Sequence, residues 1–443
     1  MASRKIKNVI YIHTHDMGRY IGCYGHKLST PNLDQFSKHA TLFRQAYCCG
    51  PTCSPSRAGL LTGATPHESG MLGLAHRGFK LRNPQYHLAA YLKELGFVTA
   101  LCGIQHEFNS AWEQMPYEYV VRDFSEKGNA DSDRHWAAAA CDFLKREHEQ
   151  PFFLSFGLFY PHRKFETADT ASVSLDAIEL PQCLPDTTEV RKDFADYQHS
   201  LSLADECIGL VLQTIQETGH FQNSLIIVTT DHGIAFPNMK CNLKDDGIGV
   251  TLMLSYPDNP ASGTVSDALV SHLDVYPTIC DLLGLAPPPH LQGVSMRPLF
   301  ERSRHAIRDE LFSEVTFHAA YEPMRCIRTQ RFKLIRRFDV CRRVLANCDD
   351  SPSKSVLMDA GWGQEALPEV ELYDLLEDPQ ESTNRAAHPE YESVLQGLSR
   401  KLEDWMLATS DPLLQGFVPR PECALVNSIT SISPSDGPYE PID

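Results

Sequence analysis

Three short segments carry side chains that could do chemistry together. His13-Thr14-His15-Asp16 closes one strand-like run, and Asp231-His232-Gly233 closes another. Cys53-Ser-Pro-Ser-Arg57 opens a helix pattern. In an open α/β sheet, ligand groups collect beyond the carboxyl ends of the strands. Two such ends, each bearing adjacent imidazole and carboxylate groups, are expected to meet at one divalent cation. His15, Asp16, Asp231 and His232 are expected to hold it, with Cys53 counted in the same metal site. His13 alternates to the opposite strand face from His15, so it is expected to pack or to support the site and not to ligate.

Cys53 stands at a helix start, with Pro55 in the first turn. The first turn of a helix presents unpaired N–H groups and a partial positive charge, both suited to an oxyanion. Arg57 follows one turn later and can reach back to the same place. That arrangement suits a nucleophile and a tetrahedral anion. The same residues also suit two other readings. Cys53 could be a structural cysteine before a capped helix. Its thiolate could instead join two His and two Asp on zinc, in a non-catalytic metal- or glycan-binding protein.

The elements that must position these residues alternate along the chain. Strands are predicted at Asn8–Thr14, Phe97–Cys102, Pro151–Phe159, Ser224–Thr230 and Val250–Ser255. Helices are predicted at Pro31–Ala40, His87–Leu95, Asp131–Glu147, Gln198–Thr218 and Val275–Leu283, several of them stopped by a glycine. Short apolar strands between helices predict an α/β fold: a large, mixed, mostly parallel sheet sandwiched by helices. Beyond Pro287–Pro289 the pattern changes to shorter strands at Glu310–Val315, Met324–Arg328, Phe332–Arg337 and Glu371–Leu375, with one helix over His388–Leu407. The expected organisation is a catalytic α/β domain over 1–300, a smaller α+β domain with an antiparallel sheet over 301–423, and an extended tail over 424–443.

Composition narrows the function class. The chain has 443 residues, and 40 Lys and Arg against 57 Asp and Glu give a net charge of −17. So acidic a chain is a poor partner for nucleic acid or for an anionic membrane. The 19 His are a surplus, and the 14 Cys are scattered, with no disulfide framework. No signal-like run precedes the first strand, so a cytoplasmic chain with reduced cysteines is expected.

The full string Cys53-Ser-Pro-Ser-Arg57-Ala-Gly-Leu-Leu-Thr62-Gly63 resembles the signature of the formylglycine-dependent sulfatases, within the alkaline phosphatase superfamily. Further stretches are similar to the sulfamidase-like branch of that family. They are Ser69-Gly-Met-Leu-Gly-Leu, Pro161-His-Arg, Gly233-Ile-Ala-Phe-Pro and Pro323-Met-Arg. The resemblance implies that Cys53 is oxidised to formylglycine by a formylglycine-generating enzyme. The hydrated aldehyde then attacks sulfur and is regenerated when the sulfated intermediate collapses. Carried over by position, Arg57 and Lys240 contact the substrate, His162 protonates the leaving group and His106 acts as base. His318 could reach the pocket mouth and read the substrate.

Two positions depart from the family. Sulfatases normally show Asp-Asp and Asp-Asn at the metal, where this chain has His15-Asp16 and Asp231-His232. The family's Gly-Lys-x-His is Gly103-Ile104-Gln105-His106 here, so a lysine is missing. One carboxylate and one ammonium are lost together, which preserves the formal charge of the pocket. Calcium, the family default, prefers oxygen ligands, so two imidazoles point to Mn2+, Zn2+ or Fe2+. The expected substrate is a small anionic ester or sulfamate of a sugar. Asp231-His232 also matches phosphonate monoester hydrolases, so phosphodiester or phosphonate monoester hydrolysis is the alternative. A homo-oligomer is expected.

Overall fold

The computed structural model describes residues 6–109, 115–121, 129–169 and 174–437. A large sheet runs in the order β5 (Tyr119–Val121), β4 (Val98–Gly103), β6 (Phe152–Gly157), β1 (Asn8–Thr14), β7 (Ser224–Thr230), β8 (Leu252–Ser255), β2 (Thr41–Phe43), β9 (Thr264–Ser266). Only β8 runs against its neighbours β7 and β2; every other pairing is parallel. This is the mostly parallel sheet that the alternation of elements predicted.

Its central strands are apolar on both faces because helices cover both. Along β1, Val9 and Tyr11 enter one core cluster, and Ile10 and Ile12 enter the other. Along β7, Leu225 and Ile227 take the first side, and Ile226 and Val228 the second. A continuous β-branched run, and not an alternating one, is what a strand buried on both faces requires.

Register decides where the chemistry meets. β1 and β7 pair in step from Asn8↔Ser224 to Thr14↔Thr230. Both strands therefore end at one level, and His15-Asp16 comes to lie beside Asp231-His232. On the other side, His13 pairs with Gly157 of β6, and Gly157 with Gly103 of β4. The loops leaving β4 and β6 carry His106 and His162 to the same edge. Close passage at that edge requires glycine: a Cβ on Gly103 would lie 1.9 Å from the Gly157 carbonyl oxygen, and the φ of Gly103 is 102°.

A two-stranded parallel pair, β3 (Ala46–Tyr47) with β10 (Val270–Ser271), flanks the helix Cys53–Thr62. The C-terminal part is an antiparallel meander, β11 (Glu310–Phe317), β12 (Tyr321–Thr329), β13 (Phe332–Arg337) and β14 (Val370–Asp374). The helix Glu392–Ala408 packs on it through Leu398, Leu402 and Met406. One face of this sheet joins the first core through Leu311, Val315, Met324 and Ile335.

Two differences from the sequence reading have clear causes. The helix expected to begin at Gln198 begins at Thr188 and runs to Glu217, capped by the Thr187 side chain on the Val190 N–H. Its first turns carry Arg191-Lys192-Asp193, which masks the apolar spacing of Val190, Phe194 and Tyr197. Asp193 is buried because the Arg163 guanidinium meets it at 2.7 and 2.8 Å. The segment 424–437, expected as a tail, lies on its own chain. Ala424, Val426 and Asn427 are buried, the Leu425 N–H donates to the Arg77 carbonyl, and Asn427 bridges Ala320. Among the described residues no helix is long and apolar enough to cross a membrane.

Candidate active site

Cys53 is the first residue of the helix Cys53–Thr62, every residue of which is buried. No side chain caps this helix, so its first N–H groups are left for another acceptor. Ser56, one turn in, donates to the Asp231 carbonyl at 2.5 Å and ties the helix to the end of β7. Ser54 accepts from the Ala75 N–H at 2.9 Å and steadies the other side.

His15, Asp16, Cys53, Asp231 and His232 offer ligand atoms that all lie within 4.8 Å of one another, and all five residues are buried. Asp16 reaches this point through a left-handed backbone, φ 49°, unusual for a residue with a side chain. Its N–H donates to Asp231 Oδ1 at 2.9 Å. His15 Nδ1 lies 2.7 Å from Asp16 Oδ1 and 3.2 Å from Asp231 Oδ2.

His232 tests whether the cluster fits a cation. Its Nδ1 donates to the Gly233 carbonyl at 2.9 Å, which leaves the lone pair on Nε2. That Nε2 is buried with no hydrogen-bond partner, 3.3 Å from Asp16 Oδ1 and 3.6 Å from Asp231 Oδ2. A lone pair buried against two carboxylates is repulsive unless a cation sits among them. The donor set therefore fits a divalent ion. Burial holds His15 neutral, with its pKa down to about 4 in spite of Asp231 and Asp16. Burial works against both carboxylates as well. The Lys240 ammonium nevertheless holds Asp16 ionised, and the Arg57 guanidinium does the same for Asp231.

The other expected residues surround this cluster. Arg57 donates to Asp231 Oδ2 at 3.0 Å and to the Thr14 carbonyl at 2.9 Å. Its other nitrogen meets His13 Nδ1, while His13 Nε2 lies 3.1 Å from Ser155 Oγ. His13 thus steadies the arginine from the far face of β1. Lys240 Nζ lies 3.0 Å from Asp16 Oδ2. His106 Nε2 lies 3.1 Å from His15 Nε2. His162 hydrogen-bonds to the Arg163 carbonyl through Nδ1 and turns Nε2 toward Asp16 Oδ2, 3.8 Å away. His318 is buried at the rim, where its Nδ1 has no partner and its charge is opposed by burial, Lys240 and Arg77. Burial pushes the Cys53 thiol well above its ordinary pKa, with Lys240 opposing. An unmodified thiol here is therefore a poor nucleophile.

Residues 7–285, more than half of the chain, match the sulfatase family model. The chain belongs to the sulfatase family.

It is therefore a hydrolase of the class that acts on sulfuric ester bonds. Residues 238–353 match a second model, the C-terminal part of N-sulphoglucosamine sulphohydrolase. The human N-sulphoglucosamine sulphohydrolase is 28% identical, over 92% of this chain and 91% of its own length. An ulvan-active sulfatase of Formosa agariphila is also 28% identical, over 93% of this chain and 82% of its own. A protein solved in complex with its substrate D-glucosamine-2-N,6-O-disulfate superposes with a TM-score of 0.72 at 20% identity, covering 92% of this chain and 99% of its own. At that identity the likeness speaks for the sulfatase fold.

Against the sulfatase pattern, Ile104 stands where the family carries lysine and packs into the second core as a partly buried aliphatic residue. Gln105 folds back, accepting from the N–H groups of Glu107 and Phe108 at 2.9 and 2.8 Å. One charged residue of this sulfatase site escaped the sequence reading. Asp349 pairs with Lys240 at 3.0 Å. It sits in a loop with no periodicity, and no local signal marks it.

Proposed function

We infer that this chain is a sulfatase that removes a sulfate ester or sulfamate group from a sugar, with residue 53 carried as formylglycine and a transition metal as its cation. The observation that carries the reading is the buried convergence of two imidazoles, two carboxylates and residue 53 at an uncapped helix start. When present, the cation supplies Lewis acidity and the modified residue 53 an oxygen nucleophile, which the suppressed thiol lacks. His15, Asp16, Asp231 and His232 would hold that cation. Two imidazoles in the set favour Mn2+, Zn2+ or Fe2+ over calcium.

The chain's own residues do the rest. Arg57 and Lys240 flank residue 53 with positive charge and orient the sulfate oxygens. The N–H groups at the start of the helix add to that field. His162 is fixed by its carbonyl contact with Nε2 turned toward the cluster, and Nε2 is the atom that delivers a proton to the leaving group. Burial lowers its pKa, with Asp16 opposing. A bound anion favours the imidazolium further. His106, next to His15, is kept neutral chiefly by burial and can take a proton back. The two likenesses to sulfohydrolases of sulfated sugars support a sugar substrate.

The test compares N-sulfoglucosamine, an aryl sulfate and an aryl phosphodiester on protein from the native host. Sulfate release is expected to dominate, and a lower intact mass, by about 18 Da, is expected from the conversion of Cys53. A preference for the diester above about a hundredfold, roughly 2.7 kcal/mol, would overturn the reading. A fully unmodified, inactive native chain would favour a binding protein.

A further inference from the structure

Lys240 carries more carboxylate than it needs. Its single buried ammonium lies 3.0 Å from Asp16 Oδ2 and 3.0 Å from Asp349 Oδ2. Asp16 belongs to the cation site. Asp349 comes from the C-terminal part of the chain, and one-fifth of its side chain is exposed. Its buried Oδ2 accepts no well-formed hydrogen bond. A second ionised carboxylate at the mouth of an anion site works against sulfate binding and costs desolvation. It is justified only if the substrate brings a donor to it.

The loop that presents Asp349 is held in place from several sides. The Lys354 ammonium donates to the Cys348 carbonyl at 2.8 Å and to the Ile432 carbonyl at 2.7 Å, and it pairs with Asp350 at 2.9 Å. Asn347 donates to Glu322 at 2.9 Å and accepts from the Ala320 N–H at 2.8 Å. The carboxylate is thus pre-positioned on a rigid rim, as a residue that reads a ligand must be. His162 and His318 share its surroundings.

A sulfate oxygen bound on the free side of Lys240 at ordinary hydrogen-bond length lies no more than about 6 Å from Asp349 Oδ2. That is the reach of a group on the ring carbon next to the sulfated one. We propose that Asp349 is a specificity-determining residue that accepts a hydrogen bond from a hydroxyl or amine next to the sulfated position. It thereby selects sugars with a donor there and rejects those with a second anion there. The inference rests on the sugar-sulfatase reading above and adds the substrate class.

The experiment measures kcat and KM for N-sulfoglucosamine and for its 3-O-sulfated form, on the wild-type holoenzyme and on Asp349→Asn. The wild type is expected to prefer the first sugar by roughly tenfold or more in kcat/KM. Asp349→Asn is expected to bring the two within about threefold of each other, mainly through KM. Absence of preference in the wild type overturns the proposal. So does a variant that slows both sugars by one common factor, the mark of a residue that only steadies Lys240. Calorimetric Kd values for both sugars on Cys53→Ala protein give a reading independent of turnover. The same preference is expected there, and equal values overturn the proposal. Failure of the sulfatase reading looks different: the wild type releases sulfate from neither sugar nor from an aryl sulfate, while the Kd ratio still decides the role of Asp349.

Discussion

Two buried clusters in this molecule are built from the same side chains and behave in opposite ways. One is His15, Asp16, Asp231 and His232 with Arg57 and Cys53. The other is His67, Glu314 and Asp411 with Arg325. In the second, each carboxylate meets a cationic partner inside the protein, and the His67 ring, whose Nε2 has no hydrogen-bond partner, stands edge-on to Trp405. Arg325 grips Asp411 at 2.5 and 2.9 Å and lies 3.5 Å from Glu314. Glu314 accepts from the His67 N–H at 2.7 Å and pairs with its Nδ1 at 2.5 Å. Burial works against the His67 imidazolium, but Glu314 outweighs it and raises the pKa above the usual value. His15 shows the reverse, held neutral at a pKa of about 4 because burial outweighs Asp231 and Asp16. A latch needs a charged imidazole, and a ligand needs a neutral one with a free lone pair. In the second cluster Arg325 already occupies the cation's place. In the first, the Nε2 of His232 lies 3.3 Å from Asp16 and 3.6 Å from Asp231 with no hydrogen-bond partner, a place that suits an ion.

The sharpest way to break this contrast is Cys53→Ser. Turnover should fall by about 10^4-fold or more, equivalent to about 5.5 kcal/mol. Melting temperature and metal content should stay close to wild type. Wild-type-like rates would remove residue 53 from the chemistry.

Next is Arg325→Met, which strands two buried carboxylates in the latch. Unfolding in urea should show a loss of about 3–5 kcal/mol, with turnover per folded molecule retained. Loss of turnover at unchanged stability would place Arg325 in the wrong cluster.

His232→Ala should weaken metal binding by about a hundredfold, roughly 2.7 kcal/mol. It should cost the fold less than Arg325→Met does. After stripping with a chelator, Mn2+, Zn2+ or Fe2+ should restore wild-type activity where calcium does not. Restoration by calcium alone would contradict the two-imidazole argument.

The smallest effect is in the pH dependence of stability. The folded pKa of His67 is raised above 6.5, so the folded state binds a proton that the unfolded state has lost. The stability this adds is present in full below pH 6.5 and disappears as the pH rises through the raised value. The difference in unfolding free energy between wild type and His67→Gln should therefore shrink as the pH rises above 6.5. A difference that grows with pH would mean that His67 is neutral in the fold.

Much of the frame was legible in the chain. β1, β7 and β13 and the helix Val275–Leu283 have the bounds that their apolar runs and glycine stops predict. The start of Thr188–Glu217 was not, because Asp193 in its buried face is satisfied by Arg163, a partner outside the helix. Short strands such as β2 and β9 were missed as well, since three residues carry no period. At the site, residue types and strand ends pointed to the residues that converge beside the helix Cys53–Thr62. Nothing local linked His13 to Arg57 or Asp349 to Lys240, because each pair spans separate elements.

The sequence by itself determined the ingredients: a cysteine at a helix start, an arginine one turn on, and imidazole–carboxylate pairs at two strand ends. Those follow from local spacing, which the chain carries wherever it folds. The tertiary structure decided the rest. The in-step pairing of β1 and β7 brought the two pairs to one level. Burial then set which imidazoles are neutral, and a distant loop brought Asp349 to Lys240. Desolvation and Coulomb energy depend on three-dimensional surroundings, so one residue type is held neutral at His15 and drawn toward its charged form at His67.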